Sequence, residues 1–435
     1  MFAYYLRLAL RSLKRNLVLT SLMIVAVAVG IGASMTVYTV FRLMSGDPFP
    51  DKSSQLFVPQ IDNWGPDERG KDGEPPDQLS YRDANALMQA HAAPHQTAMY
   101  STVFIVSPAD PAQKPFHVPA RATYRDFFSM FEVPFLYGGA WTAADDSNRA
   151  NTVVISRSLN DKLFAGADSV GKTVTLDARD YRVVGVMDNW NPQPRAYDVV
   201  SGSFDKVEDV LVPFTTAIDR QFDFHGQNSC SQAPEPGWFG HLNSECVWTQ
   251  FWVELPTAAD VDKYREFLNH YAAEQQRIGR FHWAPYTKLR DLRAWLVAEK
   301  VVPDDARISV MVGFAFLLVC LVNAIGLMLA KFSSRSGELG VRRALGASRG
   351  AIFVQCLVEA GVIGASGGVA GLGLTAVGLL GVRAVFPEDI ARLAHMDLSA
   401  VFITLVLAIV ATVAAGLYPT WRASRIQPAW QLKAQ

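Results

Sequence analysis

Charge of either sign is in short supply in this chain. Lys and Arg number 40 and Asp and Glu 41 in 435 residues, so the formal net charge is −1. A balance this even offers no basic surface to a nucleic-acid backbone, and no nucleic acid is expected as a partner. Catalytic signatures are missing too. There is no His-Glu-x-x-His pair, no Gly-x-Ser-x-Gly turn and no pair of Cys-x-x-Cys motifs. Adjacent carboxylates stand at Asp145–Asp146 and Asp304–Asp305, but in polar stretches such pairs read as solvated. The chain is expected to be no enzyme and to hold neither a cofactor nor a metal ion of its own.

Cysteines number only four, and they divide into two kinds. Cys320 and Cys356 lie in apolar runs and read as small packing residues. Cys230 and Cys246 lie in a polar stretch rich in Gly, Pro and Asn. A disulfide there would close a loop of about 15 residues, worth roughly 3 kcal/mol by chain entropy. A metal site is the rival reading, because His225, Cys230, His241 and Cys246 repeat a His-x4-Cys spacing. That spacing is not one of the standard zinc patterns. Disulfide is the expectation, with metal or two free thiols as alternatives.

One motif imitates a nucleotide site. Gly166-Ala-Asp-Ser-Val-Gly171-Lys172-Thr173 matches the pattern G-x4-G-K-[ST]. A working phosphate loop follows a buried strand and opens a helix. Here the pattern predicts a helix before the motif, Ser156 to Phe164, and a strand after it, Thr173 to Leu176. The motif is read as a glycine turn leading into a hairpin.

Apolar residues are abundant but uneven: they crowd the N-terminus and the last 130 or so positions. A bilayer core needs about 20 apolar residues in helical form. Four runs reach that length, Leu17 to Phe41, Ile308 to Ala330, Ile352 to Val385 and Leu398 to Leu417. Lipid offers the backbone no water, so each is a helix. Arg7, Arg11, Lys14 and Arg15 precede the first run, as in a signal peptide. Its apolar stretch nevertheless exceeds the roughly 7–15 residues of a signal core, and it is read as a retained span. The resulting division is an amphipathic stretch 1–16, a span 17–45, a polar domain 46–305, a span 306–330, a linking helix 331–350, a span 351–385, a short connection 386–397, a span 398–418 and a tail 419–435.

Basic residues mark the cytoplasmic side. Residues 1–46 contain no acid; 331–349 holds Lys331, Arg335, Arg342, Arg343 and Arg349 against Glu338; the tail holds Arg422, Arg425 and Lys433. The connection 386–397 is acidic instead, with Glu388, Asp389 and Asp397 against Arg392. Both termini and the linking helix are therefore expected in the cytoplasm, and 46–305 outside, in a bacterial inner membrane.

The outside domain reads as α+β. Residues 60–78 form a loop; Ser80 caps a helix running to His91, with Asp83 at the third helical position. Segments 98–107 and 115–123 read as strands around the turn-rich Ser107-Pro108-Ala109-Asp110-Pro111. Thr173 to Leu176 and Tyr181 to Val186 alternate as a hairpin. Gln221 to Cys246 is a long irregular insert, and Asp260 to Ile278 an amphipathic helix.

The segment Glu338-Leu-Gly-Val-Arg342-Arg343-Ala-Leu-Gly346-Ala-Ser-Arg349, followed by Gln355-Cys-Leu-Val-Glu359-Ala and a glycine-rich span, resembles the MacB/FtsX-type ABC transporter permeases. The ending Gly416-Leu-Tyr-Pro419-Thr-Trp-Arg422 is similar to that family's. So are Tyr124-Arg-Asp-Phe127-Phe128, Gly138-Gly-Ala-Trp141 and Tyr181-Arg-Val-Val-Gly185-Val, which resemble its MacB-type periplasmic core domain. The resemblance runs nearly end to end and weakens across 190–300.

It implies a membrane protein of four transmembrane helices with a large α+β periplasmic domain between the first two. It also implies a homo- or heterodimer of permeases, served by a separate ATPase chain that carries the ATP and Mg, since only sixteen residues precede the first span here. A periplasmic adaptor and an outer-membrane channel are possible further partners in such systems. The implied task is mechanotransmission, the driving of periplasmic movement by ATP hydrolysis, for efflux of a toxic compound or peptide. The alternatives within the family are LolC/LolE-type lipoprotein extraction and FtsX-like control of a cell-wall hydrolase.

Residue roles follow from that reading. Glu338, Leu339, Gly340, Arg342, Arg343, Leu345 and Gly346 are expected to couple to the ATPase. Glu338 and Arg342 stand in the favourable i,i+4 order, and Leu345 offers an apolar anchor. Gly364-x3-Gly368 and Gly367-x3-Gly371 permit close helix contact. Gln355 and Glu359 share a face of the third span; an acid in lipid is costly, and Asn323 in the second span is a candidate partner.

Overall fold

The computed structural model describes residues 2–69, 73–108, 113–385 and 398–425. The acidic connection 386–397, residues 109–111 of the turn after Ser107, part of the loop 60–78 and the tail beyond Arg425, including Lys433, lie outside the described residues. The chain divides into two compact units, Met1–Ser45 with Val302–Gln435, and Gly46–Val301.

In the first unit, four helices are long and apolar enough to cross a membrane: Leu17–Met44, Asp304–Ser334, Arg349–Val385 and Leu398–Ser424. An N-terminal helix, Phe2–Arg15, precedes them, and a linking helix, Ser336–Ala344, joins the second and third. Each span is apolar all round, so packing decides which face turns inward. On the first span Thr20, Met23, Val27, Ile31, Ser34 and Met35 form a buried stripe, at the i, i+3, i+4 and i+7 spacing of one helix face. Val18, Leu22, Val25 and Val29 stay exposed on the other, where lipid acyl chains would lie.

The third span is the hub, and its glycines explain how. A Cβ at Gly364 or Gly368 would fall 2.8 or 2.7 Å from side-chain carbons of Thr412 and Ala408 on the fourth span. A Cβ at Gly367 or Gly371 would fall 2.7 or 2.9 Å from Val27 and Ile31 on the first. Two small-residue faces thus seat two neighbours at backbone distance. The fourth helix continues through Pro419 to Ser424, past the end at 418 expected from its apolar run.

In the second unit, eleven strands among the described residues form one sheet. They are β1 (Leu56–Ile61), β2 (Leu79–Ser80), β3 (His95–Ser107), β4 (Phe116–Thr123), β5 (Phe135–Gly138), β6 (Thr152–Ser156), β7 (Thr173–Leu176), β8 (Arg179–Met187), β9 (Val210–Pro213), β10 (Val247–Glu254) and β11 (Thr287–Asp291). The order is β11-β1-β10-β3-β4-β9-β6-β8-β5, with β2 on β10 and β7 bridging β3 and β8. Only β4–β9 and β6–β8 pair in parallel among these strands, so the α+β class stands. Helices 81–90, 157–164 and 258–277 form where Ser80, Ser156 and Thr257 cap them; each side chain accepts a first-turn N–H that would otherwise lack a partner. β10 is buried at all eight positions.

Two buried charge clusters pin this unit. Arg121, fully buried, lies between Asp198 at 2.6 Å and Glu208 at 2.5 Å. Arg280 joins Asp83 of the first capped helix (2.6 Å) to Glu245 (2.7 Å) at the end of the irregular insert. Cys230 and Cys246 are joined as a disulfide across that insert, which leaves no thiolate for a metal.

Candidate functional site

A cluster of charged groups of the helical unit gathers at one end, where the first span begins and the second ends. The second span does not stop at 330 but runs to Ser334. Lys331 therefore falls on the same face as the buried Ala324 and Met328. It is fully buried, its Nζ 2.6 Å from Glu359 of the third span and 3.2 Å from Thr20 Oγ1 of the first. Glu359 also accepts from Ser12 Oγ of the N-terminal helix at 2.5 Å and meets Arg335 Nη1 at 3.3 Å. Arg335 donates to Ser12 as well. One carboxylate thus ties together the N-terminal helix and the second and third spans, with Lys331 linking on to the first.

A second carboxylate extends the clasp. Glu338, on the linking helix, meets Arg342 at 2.9 Å, Arg15 at 3.1 Å and Arg335 at 3.3 Å. Arg342 in turn donates to Gln355 Oε1 of the third span at 3.0 Å. An isolated ion in such a place would cost several kcal/mol; here each carboxylate has more than one cationic or hydroxyl partner.

The linking helix closes locally. Gly346, at φ +98°, reverses the chain, and the N–H groups of Gly346 and Ala347 return to Arg343 O and Arg342 O in the manner of a glycine C-cap. Ser348 Oγ then accepts from Ala351 N at 3.1 Å and opens the third span.

Several expected site residues sit elsewhere than the sequence reading placed them. Leu339 and Gly340 are buried against the bundle, so neither can face a partner. Leu345 is 83% exposed and Val341 56%, which makes these two the outward apolar pair. Arg342 is turned inward on Gln355. Asn323 is exposed and is not among the groups that meet Glu359: it lies off the buried Ala324–Met328–Lys331 face. Lys331, counted from sequence as a cytoplasmic charge, takes that role. Ser12 and Thr20 were missed altogether, and Arg335, like Lys331, was counted only as a cytoplasmic charge. Only Lys331 carried a signal, its continuation of the inward helical period.

The phosphate-loop motif is a turn between helix Arg157–Phe164 and β7. Its amides are already spent: Val170 N on Asp168 Oδ1, Gly171 N on Val183 O, Lys172 N on Ser169 O. The Lys172 ammonium lies 5.2 Å from the Phe164 ring centroid. No amide cradle is left for a phosphate.

The carboxylate pairs also part company. Asp304 and Asp305 open the second span, where a helix N-terminus favours negative charge. Asp145 closes a capping box with Thr142. Asp146 is not solvated: it is 7% exposed, and burial, aided by nearby Asp126, pushes its carboxyl up to about 6.

Known proteins match both units. Residues 20–270 match the MacB-like periplasmic core domain, and residues 310–428 the FtsX-like permease C-terminal domain. PvdT, a pyoverdine export ATP-binding/permease protein of Pseudomonas fluorescens (strain Pf0-1), is 26% identical over 71% of this chain and 42% of its own length. MacB, a macrolide export ATP-binding/permease protein of Azoarcus sp. (strain BH72), is 23% identical over 99% of this chain and 59% of its own. The chain therefore spans 42% and 59% of these two relatives. Among solved structures, the periplasmic region of MacB from Actinobacillus actinomycetemcomitans aligns with a TM-score of 0.36 and 15% identity, covering 56% of this chain and 92% of that one. With matches over 20–270 and 310–428 on a chain of four apolar helices and an intervening α+β domain, this protein belongs to the MacB/FtsX-type permeases of ABC transporters, multi-pass membrane proteins with a periplasmic domain between the first and second spans.

Proposed function

We propose that this chain is the permease subunit through which a separate ATPase chain, carrying ATP and Mg, drives movement of the periplasmic domain. The observation that carries the reading is the clasp. Glu338, Glu359, Lys331 and Arg335 join the linking helix to the spans on either side of it and to the N-terminal helix. A push on the linking helix is then passed to the second span directly and to the first through the N-terminal helix and the Lys331–Thr20 contact, and these two spans lead to the domain. Val341 and Leu345 point away from the bundle and supply the apolar contact for the ATPase. The excess of basic residues around this end favours a cytoplasmic side of the inner membrane for it and for both termini. The permease works as a dimer. The printed names of the relatives, pyoverdine export and macrolide export, favour efflux of a toxic compound or peptide, with an adaptor and an outer-membrane channel as further partners.

The test is Leu345→Asp combined with Val341→Asp, assayed by co-purification with the ATPase and by ATP turnover in lipid nanodiscs. Burying two carboxylates in an apolar groove costs several kcal/mol in total, so association should fall by at least about a hundredfold. The spans are untouched, so insertion should be normal. Normal association and turnover would move the contact to the N-terminal helix.

A further inference from the structure

The periplasmic domain contains an open cavity of about 510 Å³, within the size range of small-molecule sites. Its walls are the helix Tyr81–Ala90, the segment Tyr124–Asp126 and the short helix Ala143–Ser147. Two carboxylates, Asp126 and Asp146, stand in the lining beside Arg125. Asp146 is buried and held only by neutral donors, Arg125 N at 3.1 Å and Trp141 Nε1 at 2.8 Å; it has no ion-pair partner among the described residues. Asp126 adds a second carboxylate. Gln96, only 3% exposed, spends its amide nitrogen on Leu87 O and Met88 O, and its Oε1 has no partner. Tyr124 stacks on Phe214 with centroids 5.3 Å apart and brings an aromatic ring to the same wall.

We infer that this cavity binds a small molecule carrying a protonated amine on an aromatic body. An ammonium has three donors and no acceptor, which complements the two carboxylates of the wall. The Tyr124 ring gives the cation a π face and the apolar body a surface to stack on. An anionic ligand would meet two carboxylates. The Arg125 guanidinium cannot offset them both: it is half exposed and lies 3.8 Å from Asp126. The inference does not rest on the coupling reading above.

Affinity should also depend on pH. Asp146 ionises as pH rises through about 6, and the amine stays protonated across that range. Other charged or titratable groups at this wall are Asp126, Arg125, His91 and, 3.5 Å from Asp126, His95.

The test is calorimetric titration of the full chain in nanodiscs with phenethylamine and its neutral analogue phenethyl alcohol. The amine should bind and the alcohol should not. Asp126→Asn should weaken the amine by about tenfold, and Asp146→Asn should remove most of the strengthening seen above pH 6. Ala143→Trp, at an exposed wall position, should abolish binding by filling the space without altering a charge. Equal binding of the alcohol, no binding of the amine on either side of pH 6, or affinity indifferent to both Asp126→Asn and Ala143→Trp would each overturn the proposal.

Discussion

Lys331 and Glu359 make the sharpest test of the helical unit. Both side chains are within 1% of complete burial and their charged atoms are 2.6 Å apart. Replacing Glu359 by Gln removes the negative charge opposite the Lys331 ammonium and leaves it neutral acceptors, Thr20 Oγ1 at 3.2 Å among them. Removing one member of a buried pair costs about 3–5 kcal/mol, whereas replacing both with groups of similar volume is often neutral. Lys331→Met should therefore be costly alone and largely harmless with Glu359→Gln. Arg335 loses its Glu359 contact only where Glu359→Gln is present, and it keeps Glu338 at 3.3 Å throughout. The expected coupling energy is about 2–3 kcal/mol. A reporter is built in: Cys356, 2% exposed, lies on the same helix three positions before Glu359. In a Cys320→Ala background, its labelling rate measures how often this end of the bundle opens. Each single change should accelerate labelling by at least about thirtyfold, and the double change should bring it back to within a few-fold of the parent. Additive effects of the two single changes would refute the reasoning, because the two groups would then not be satisfying one another.

Cysteines placed at Asp67 and Asp260 should react with an impermeant thiol reagent from the periplasm of intact cells, and one at Ser336 should not; labelling at Ser336 would end the proposed orientation. Mass spectrometry without reductant should find Cys230 linked to Cys246, and Cys230→Ser with Cys246→Ser should cost roughly 3 kcal/mol of domain stability, read from thermal unfolding. Asp146 titrates in the folded state near 6 against 3.8 as its ordinary value, so protonation favours folding. Its stabilisation is fully present below the ordinary value and is lost as pH rises through about 6. Relative to Asp146→Asn, the parent should therefore gain up to about 3 kcal/mol between pH above 6 and pH below 3.8, measured as paired denaturation curves.

The four spans, the α+β class and the capped helices were legible from sequence because each rests on a constraint acting within one segment. A bilayer imposes its length on a single helix. Ser80 holds the N–H three residues away, as read; Ser156 and Thr257 do the same but were not read as caps, and Thr257 starts its helix at Ala258 rather than Asp260. β10 was not legible. Val247-Trp-Thr-Gln-Phe-Trp-Val-Glu254 is buried on both faces and so lacks the alternation that marks a half-buried strand.

What tertiary structure alone decided is which residues face one another. The chain determined that a charged helix links the second and third spans and that an acid sits in the third. It could not tell that Leu339 turns in and Leu345 out, because one is on the linking helix and the other caps its end, and the neighbours decide which side of each is covered. Nor could it pair Glu359 with Ser12 and Lys331, which stand 347 and 28 residues away in sequence. Asn323 is a sensible partner by composition, but helical phase carries it off the buried face and brings Lys331 onto it. Asp145 and Asp146 are neighbours with identical side chains, and they differ because one faces its own helix cap and the other a wall of the domain. Local constraints can be read along the chain; the pairing of distant charges exists only once the helices have packed.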